Sequence, residues 1–591
     1  MPDYVAPVKD MSFVLNELAG LSQVCKLPRF EDSSEDMVAA VLEEAGKFAS
    51  GVLAPLNIVG DTQGAKWADN AVQETAGFSE AYQQFVEGGW VALPCNPEFG
   101  GMGLPESVGI ATMEMWNAAN ISFALCPMLG QGAIGAIESH ANDAIKATYL
   151  EKMVSGEWTG TMNLTEPQAG SDLAMVGTKA IPEGDHYLIS GTKIYITWGD
   201  HQMADNIVHL VLARTPDAPE GVKGISLFVV PKFLVNDDGS LGDRNDAYAV
   251  SIEHKLGIHA SPTCVMSFGD NGGAVGYLVG EKNKGLAYMF TMMNHARLNV
   301  GVQGVAMSDR AYQHAVAYAN DRVQGLAPGD KEKGTIIRHP DIRRMLMIMR
   351  SMTEASRALC YVASSSFDLA HHGTDEEERI LANARGELLT PIAKGWSTEI
   401  AQEITSLGIQ IHGGMGFVEE TGAAQYLRDA RIMTIYEGTT GIQANDLMGR
   451  KLIRDKGLEF GRLIAEIRET QVEVAALGDE LTTIADSLTQ GADSLQEVAN
   501  WVIGHHMDNP QLPGAVAVNF MMAAGTVIGG WLLAKSAVIA STRLAEDESF
   551  YTAKIITARF YAEQIMPRAG AYVKMTESGS AITMALADDQ F

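Results

Sequence analysis

Cysteine is scarce in this chain: there are five in 591 residues, at positions 25, 95, 126, 264 and 360, with no CxxC pair. That leaves neither a disulfide framework nor a thiolate zinc site to organise the fold. Histidine supplies no metal frame either. The pairs at 371–372 and 505–506 stand alone, and both HExxH and the GxSxG nucleophile elbow are missing. No metal site is expected. Positive charge is in deficit, with 43 Lys+Arg against 73 Asp+Glu and a formal net charge of -30. Nucleic acid and anionic membranes are therefore poor partners, and an anionic ligand must be met by local arginines, helix N-termini or backbone amides. The opening "MPDYVAPVKDMSFVLNELAG" lacks a signal-peptide layout, which with the sparse cysteines points to a reducing cytoplasm.

What is present is an ordinary globular composition, 46% hydrophobic and 20% charged, able to bury a sizeable core in several domains. Residues 1–155 read mostly as helix, as in "EDMVAAVLEEAGKFASGVLAPLN", where apolar positions recur every three or four residues. Residues 156–280 change to strands: "HYLISGTKIYITWG", "NIVHLVLART" and "GISLFVVPKFLV" are β-branched, roughly alternating runs bounded by Gly, Pro and Asp. Residues 281–455 return to helix, interrupted by the polar loop "GLAPGDKEKGT", and residues 456–591 form a further helical unit. The run "GAVAVNFMMAAGTVIGGWLLA" (514–534) is uncharged and long enough to span a bilayer. Its Asn519, its Ala and Gly content and the lack of a second such segment favour a buried helix, so no membrane span is expected.

Two short stretches raise functional questions. "GQGAIG" (130–135) matches GxGxxG, but its surroundings look helical, whereas a dinucleotide turn needs a strand before it and a helix after it. In "RIMTIYEGTTGIQ" (431–443) a single carboxylate, Glu437, follows an apolar run. Gly438 admits close approach to the backbone, and Thr440 with Gln443 has capping-box spacing, which predicts a helix start. Alone, the stretch leaves a solvated loop glutamate and a functional carboxylate equally open. "LTEPQAGSDLA" (164–174) offers hydroxyls and loop amides to a polar ligand, or is simply a turn.

The order of several motifs resolves this. "TEPQAGSD", "KIYIT", "GIHASPT", "QIHGGMGF" and "YEGTT" occur in the order and spacing of the acyl-CoA dehydrogenase flavoproteins, which the chain resembles over roughly residues 35–455. The opening segment and the extra C-terminal block resemble the long bacterial subgroup of that family, which includes enzymes of 3-(methylthio)propanoyl-CoA oxidation in dimethylsulfoniopropionate breakdown. The resemblance implies a mainly α fold with a β middle domain: a helical N-terminal domain (1–155), a β-barrel-like middle domain (156–280), a helical bundle carrying the base (281–455) and an extra C-terminal helical domain (456–591).

The resemblance also implies roles. Glu437 would be the base that removes the proton next to the thioester carbonyl, giving a trans-2-enoyl-CoA, with FAD as cofactor and an electron-transfer flavoprotein as acceptor. A partly desolvated setting suits such a base, and "IMTIY" could supply it. Residues 293–299, where some members carry the base, hold no carboxylate. Met162, Leu164, Thr165, Gly170, Ser171, Ile196 and Thr197 would line the flavin. Arg322, Gln324, Gln410, Gly413 and Gly414 would meet its pyrophosphate and adenosine, partly across a subunit boundary, and Thr439 and Gly441 would contact it after the base. Ser171, Asn294, Arg297 and Gly438 match substrate-side positions, with Arg297 the cation for CoA. Gln168, Tyr195, Gly441 and Asn294 depart from the family's usual Gly, Trp, Gln and Asp. A homodimer is expected. The acyl group is the open question, between a short thioether-bearing chain and a medium or long one. An acyl-CoA oxidase and a silent CoA-binding scaffold are the remaining alternatives.

Overall fold

In the computed structural model, which describes residues 3–69, 71–478 and 481–591, the β-branched runs become the strands His186–Thr197, Asn206–Ala213 and Ser226–Pro231. The last two are buried along their whole length, so the rough alternation expected of them gives way to strands covered on both faces. The chain divides into two units, one of Glu44–Leu104 with Met115–Ala296 and one of Met1–Glu43, Pro105–Glu114 and Arg297–Phe591.

The first unit holds an eight-stranded sheet. Its order is Ala247–Ile252, Thr263–Phe268, His186–Thr197, Ala274–Val279, Ser226–Pro231, Asn206–Ala213 and Trp158–Asn163, with Lys179–Glu183 also on His186–Thr197. Trp158–Asn163 and Asn206–Ala213 pair in parallel, as does the single bridge of Lys179 to Arg214; the other described pairings of this sheet are antiparallel. Lys179–Glu183 closes the sheet into a barrel-like ring, because Ala180 N–H donates to the Arg214 carbonyl and Arg214 N–H to that of Thr178, both at 2.8 Å. Ile189, Ile196, Val211, Phe228, Met266 and Phe268 fill its interior. Opposite Val265, the long strand carries one extra residue, since Cys264 pairs with Ile196 but Met266 with Lys193. This bulge, with φ +61° at Tyr195, re-aims the tyrosine outward, where it is 61% exposed.

Helix α1 (Glu106–His140) breaks at Asn120 (φ -160°, ψ 91°). The Asn120 side chain accepts from Phe123 N–H at 3.1 Å and so caps the second half. "GQGAIG" lies inside that half and is no strand-to-helix turn.

The second unit is helical. It contains most of α2 (Gly285–Asp321), then α3 (Pro340–His372), α4 (Glu376–His412), α5 (Thr440–Asp446) and α6 (Leu512–Thr542). Small residues set the spacing. A Cβ on Gly301 or Gly304 of α2 would lie 3.0 or 2.7 Å from the α4 carbonyls of Ala393 and Ser397. On α6, Gly525 makes a notch for Trp396 of α4, and a Cβ there would lie 2.3 Å from the indole. The apolar run at 514–534 thus lies within a helix docked on α4. A second helix, α1, is also long and apolar enough to cross a membrane, contrary to the expectation of only one such segment. Burial of 89% of the apolar window of α1 and 83% of that of α6 makes both core helices.

A buried ionic cluster joins the ends of this unit. Arg357 on α3 contacts Asp10 (2.5 Å), Glu114 (2.6 Å) and Asp309 (3.1 Å), while Lys554 contacts Asp10 and, at 2.9 Å, Glu354.

Candidate active site

Glu437 sits on a turn between the short helix Arg431–Thr434 and α5. It has φ +54°, and Gly438 follows at φ +85°. A non-glycine residue in this region costs about 1–2 kcal/mol, so the turn must be held from outside. Gln443 Nε2 donates to the Glu437 carbonyl at 3.0 Å and to that of Gly438 at 3.4 Å. Lys394 Nζ, on α4, donates to the Gly438 carbonyl at 2.6 Å. The expected capping box at Thr440 and Gln443 does not form. Thr439 is the N-cap, its hydroxyl accepting from Ile442 N–H at 3.2 Å, whereas the Thr440 hydroxyl donates to Glu399 at 2.5 Å. The extended backbone that capping requires falls one residue early because the left-handed turn ends at Gly438.

The Glu437 side chain is half-buried and makes no ion pair among the described residues. Burial pushes its carboxyl up to about 7, opposed by the Arg297 and Lys394 cations. Lys394 has no exposed surface. Burial brings it down to about 8, with Glu437 pulling it up, Arg297 further down and Glu399 up. Arg297, buried at the start of this unit's part of α2, pairs with Asp446 at 3.5 Å. It was expected to present its charge to CoA, but it is packed inside beside the base. The "IMTIY" segment gives only part of the desolvation: Met433 is buried and Ile435 is 49% exposed. Tyr436 turns inward, its hydroxyl donating to the buried Gln303.

The other expected residues of this unit lie elsewhere along the bundle. Gln410, Gly413 and Gly414 are exposed at the C-terminal end of α4, and Arg322 and Gln324 are exposed just beyond α2. At a rise of ~1.5 Å per residue, Gln410 lies ~24 Å along α4 from Lys394. Arg322 lies ~37 Å along α2 from Arg297 on the same basis. This group is not brought to Glu437. Thr439 and Gly441 are beside it in sequence and half-buried.

In the unit containing the sheet, the 162–171 loop is pinned from within. Glu166, 4% exposed, accepts from Gly177 N–H (2.7 Å), Thr178 N–H (3.0 Å), the Thr178 hydroxyl (2.6 Å), Lys193 Nζ (2.7 Å) and Gln168 Nε2 (2.6 Å). Burial opposes its ionisation, but Lys193 and these donors hold it at about 2. Gln168, where the family has glycine, also donates to the Met175 carbonyl at 3.1 Å. Lys193 and Ile194 tie the strand to the loop through the Leu164 and Thr165 carbonyls. Gly170, Ser171 and Asn294 are exposed, and Met162, Thr165 and Thr197 are half-buried. The Ile196 side chain instead faces the barrel core, leaving only its backbone for a ligand.

Each of these surfaces, taken by itself, has features that suit part of a flavin dinucleotide. An outward aromatic, Tyr195, stands on the strand beside the pinned loop. At Gly170, Gly413 and Gly414 a Cβ would meet nothing within 4 Å, so the backbone there is open to close approach. Sequence reasoning missed Lys394, Gln443, Asp446 and Glu166. Lys394 carried one signal, as the lone charge in "LLTPIAKGWST".

Four family models match the chain: "Acyl-CoA dehydrogenase, N-terminal domain" at 39–157, "middle domain" at 161–271, "C-terminal domain" at 283–452, and "Acetyl-CoA dehydrogenase C-terminal like" at 463–587. The chain is 49% identical over 589 residues to 3-methylmercaptopropionyl-CoA dehydrogenase of Ruegeria pomeroyi, covering 98% of this chain and 99% of that one. It is 34% identical to a butyryl-CoA dehydrogenase of Syntrophomonas wolfei, covering 100% and 99%. Among solved structures, Caenorhabditis elegans ACDH-11 in complex with C11-CoA matches with TM-score 0.78 at 21% identity, covering 99% of this chain and 96% of that one. That likeness speaks to the fold.

Proposed function

The chain belongs to the acyl-CoA dehydrogenase family of FAD-dependent oxidoreductases, and from that premise we propose that it oxidises 3-(methylthio)propanoyl-CoA to 3-(methylthio)acryloyl-CoA. The observation carrying the reaction is Glu437, a carboxylate without an ion-pair partner among the described residues, on a held left-handed turn, brought to about 7 by its surroundings. A base of that strength is matched to taking a weakly acidic proton near neutral pH. The substrate choice rests on the 49% identical relative, which spans nearly the whole chain.

Glu437 accepts the proton from the carbon next to the thioester carbonyl, and its own backbone N–H donates to the oxygen on which charge develops, as the family resemblance implies. When bound, FAD supplies the acceptor for the second hydrogen and its electron pair, so that a Cα=Cβ bond is left in the product. Tyr195, the Glu166-pinned loop (Met162, Leu164, Thr165, Gly170, Ser171) and Thr197 hold the flavin, with Thr439 and Gly441 beside the base. Arg322, Gln324, Gln410, Gly413 and Gly414 serve the cofactor of a second copy. Ser171, Asn294 and Gly438 face the substrate, and an electron-transfer flavoprotein in the cytoplasm takes the electrons. A homodimer fits the extra C-terminal block, which would cover surface that shorter members use to pair. A tetramer by light scattering removes that part of the reading.

Two measurements test the rest. Glu437→Gln should retain flavin yet be reduced by acyl-CoA at least ~10²–10⁴-fold more slowly; bleaching at the normal rate sinks the base assignment. A panel of 3-(methylthio)propanoyl-, butanoyl-, octanoyl- and palmitoyl-CoA should give the highest kcat/KM for the first. Discrimination against butanoyl-CoA should be modest, since one methylene is worth about 1–3 kcal/mol. A maximum at palmitoyl-CoA refutes the substrate.

A further inference from the structure

Lys394 is a wholly buried cation on α4 for which the reaction above has no use. Among the described residues it forms no ion pair, and its acceptor is a backbone carbonyl, that of Gly438, at 2.6 Å. A buried ammonium spent on a carbonyl is costly unless something else gains from its charge. Three charged groups face it: Glu437, Arg297 and Glu399. Arg297 is occupied by Asp446, which also meets Arg450 at 3.5 Å. Glu399 is occupied by the Thr440 hydroxyl and lines a cavity of about 160 Å³ whose other charged residues, Glu403 and Arg568, pair with each other at 2.7 Å. Of the three, Glu437 alone has its side chain in neither an ion pair nor a hydrogen bond among the described residues.

The carbonyl matters as much as the charge. Glu437 and Gly438 are consecutive left-handed residues, and each has its carbonyl taken by a side chain from a neighbouring helix: Gln443 of α5 for Glu437, and Lys394 of α4 chiefly for Gly438. Releasing Gly438 frees the peptide plane next to the base. The α4 turn bearing Lys394 is itself buttressed, because Trp396 fills the Gly525 notch of α6 and Gly395 admits Met521.

Resting on the assignment of Glu437 as base, we propose that Lys394 is a positioning residue: its ammonium fixes the Glu437–Gly438 turn through the Gly438 carbonyl and holds the Glu437 side chain in the carboxylate form that accepts the proton. A carboxylate kept ionised by a neighbouring cation loses that help when the cation is removed, and its titration moves upward, typically by about 1–3 pH units for a charge in close range. The limb along which reduction speeds up with pH should move with it.

The experiment is anaerobic stopped-flow reduction of the bound flavin by 3-(methylthio)propanoyl-CoA across pH, in wild type, Glu437→Gln, Lys394→Gln and Lys394→Met. Lys394→Gln keeps a donor for Gly438 and removes the charge. Lys394→Met removes both, and, with no buried polar end, it keeps the test open should the glutamine variant fail to fold. Both lysine variants should retain flavin and shift the rising limb upward by about 1–3 units, slowing reduction about 10-fold or more near neutrality. Lys394→Met should also reduce the plateau rate above the limb, where charge no longer matters. An unmoved limb in both lysine variants, with Glu437→Gln inert, overturns the proposal and leaves the base intact. Normal bleaching by Glu437→Gln overturns the base assignment, and the role of Lys394 with it.

Discussion

Gln443 donates its amide N–H to the carbonyl of Glu437 at 3.0 Å, across the first turn of the helix that follows the base. The residue is fully buried, so α5 has been made to serve the turn before it rather than its own N-terminus. The peptide geometry of Glu437 is thereby set by the helix packed behind it, and the carboxylate is left to its chemistry.

Gly438→Ala tests that arrangement. The new Cβ would lie 2.8 Å from Gln443 Nε2 and 3.1 Å from Ile442 Cγ2, at a backbone φ of +85°. Left-handed strain and crowding together should cost about 1–3 kcal/mol. Displacing the Gln443 amide should also slow flavin reduction more than it weakens substrate binding, so kcat should fall about 10-fold or more while KM changes little. A fall confined to KM would show that the turn is not what positions the base.

The pH dependence follows from Glu437 in the free enzyme. Burial raises its carboxyl from 4.5 to about 7, and a base works only when deprotonated. The kcat/KM for acyl-CoA should therefore rise with pH through a limb near 7, since that ratio reports the free enzyme. A limb near 4.5 would mean that the pocket leaves the carboxyl unperturbed.

The same displacement affects stability. Below pH 4.5 Glu437 is protonated both folded and unfolded and contributes no difference. As pH rises from 4.5 to about 7 the unfolded chain ionises this carboxyl in water while the folded protein resists it through partial burial, so stability is lost over that interval. The interval corresponds to about 3 kcal/mol at most. Glu437→Gln removes the penalty, and its Tm should exceed that of wild type clearly at pH 8 and hardly at all at pH 4; a constant difference would refute the linkage.

The fold was readable where local pattern and tertiary role agree. The strands of the middle region and the long helices announce themselves because burial on one or both faces dictates their residues. Features set by partners distant in sequence were not readable. The bulge that turns Tyr195 outward depends on the register against Cys264 and Met266. The pattern at Thr440 and Gln443 satisfies the capping box, but Gln443 is drawn inward by a turn that sequence spacing does not reveal. Glu437 itself was found by its motif, whereas Lys394, 43 residues away, enters the site only because α4 passes behind the Gly438 carbonyl. Arg297 reads from the resemblance as the cation for CoA, and its burial against Asp446 is not legible in the sequence.

Helix α6 of the C-terminal block offers a packing test. The notch at Gly525 accepts the Trp396 indole, and even one methyl there would lie 2.3 Å from it. Gly525→Ala should destabilise the protein by about 1–3 kcal/mol through overpacking, despite the better helix propensity of alanine. Thermal unfolding of the flavin-loaded variant measures it. An unchanged or higher Tm would mean that α6 does not seat on Trp396 in solution.

The ionic cluster at Asp10 gives the last prediction. Lys554 is 2% exposed and touches Asp10 and Glu354, while Arg357, equally buried, meets Asp10, Glu114 and Asp309. Burial works against the Asp10 carboxylate, yet Lys554 and then Arg357 bring it down to about 2. A carboxyl held below its usual value of 3.8 adds stability above that pH, and the contribution disappears as pH falls through about 2. Lys554→Met deletes one cation and leaves Asp10 and Glu354 sharing the remaining ones. Breaking a buried pair from one side commonly costs about 3–5 kcal/mol, and that loss should be seen at neutral pH as a lower Tm or denaturation midpoint. Restoring neutrality should recover much of it, so the pair Asp10→Asn with Lys554→Met should be more stable than Lys554→Met alone, and a double-mutant cycle should return a coupling of at least about 1 kcal/mol. Strict additivity of the two changes would show that the cluster does not tie the N-terminal segment to the C-terminal helices.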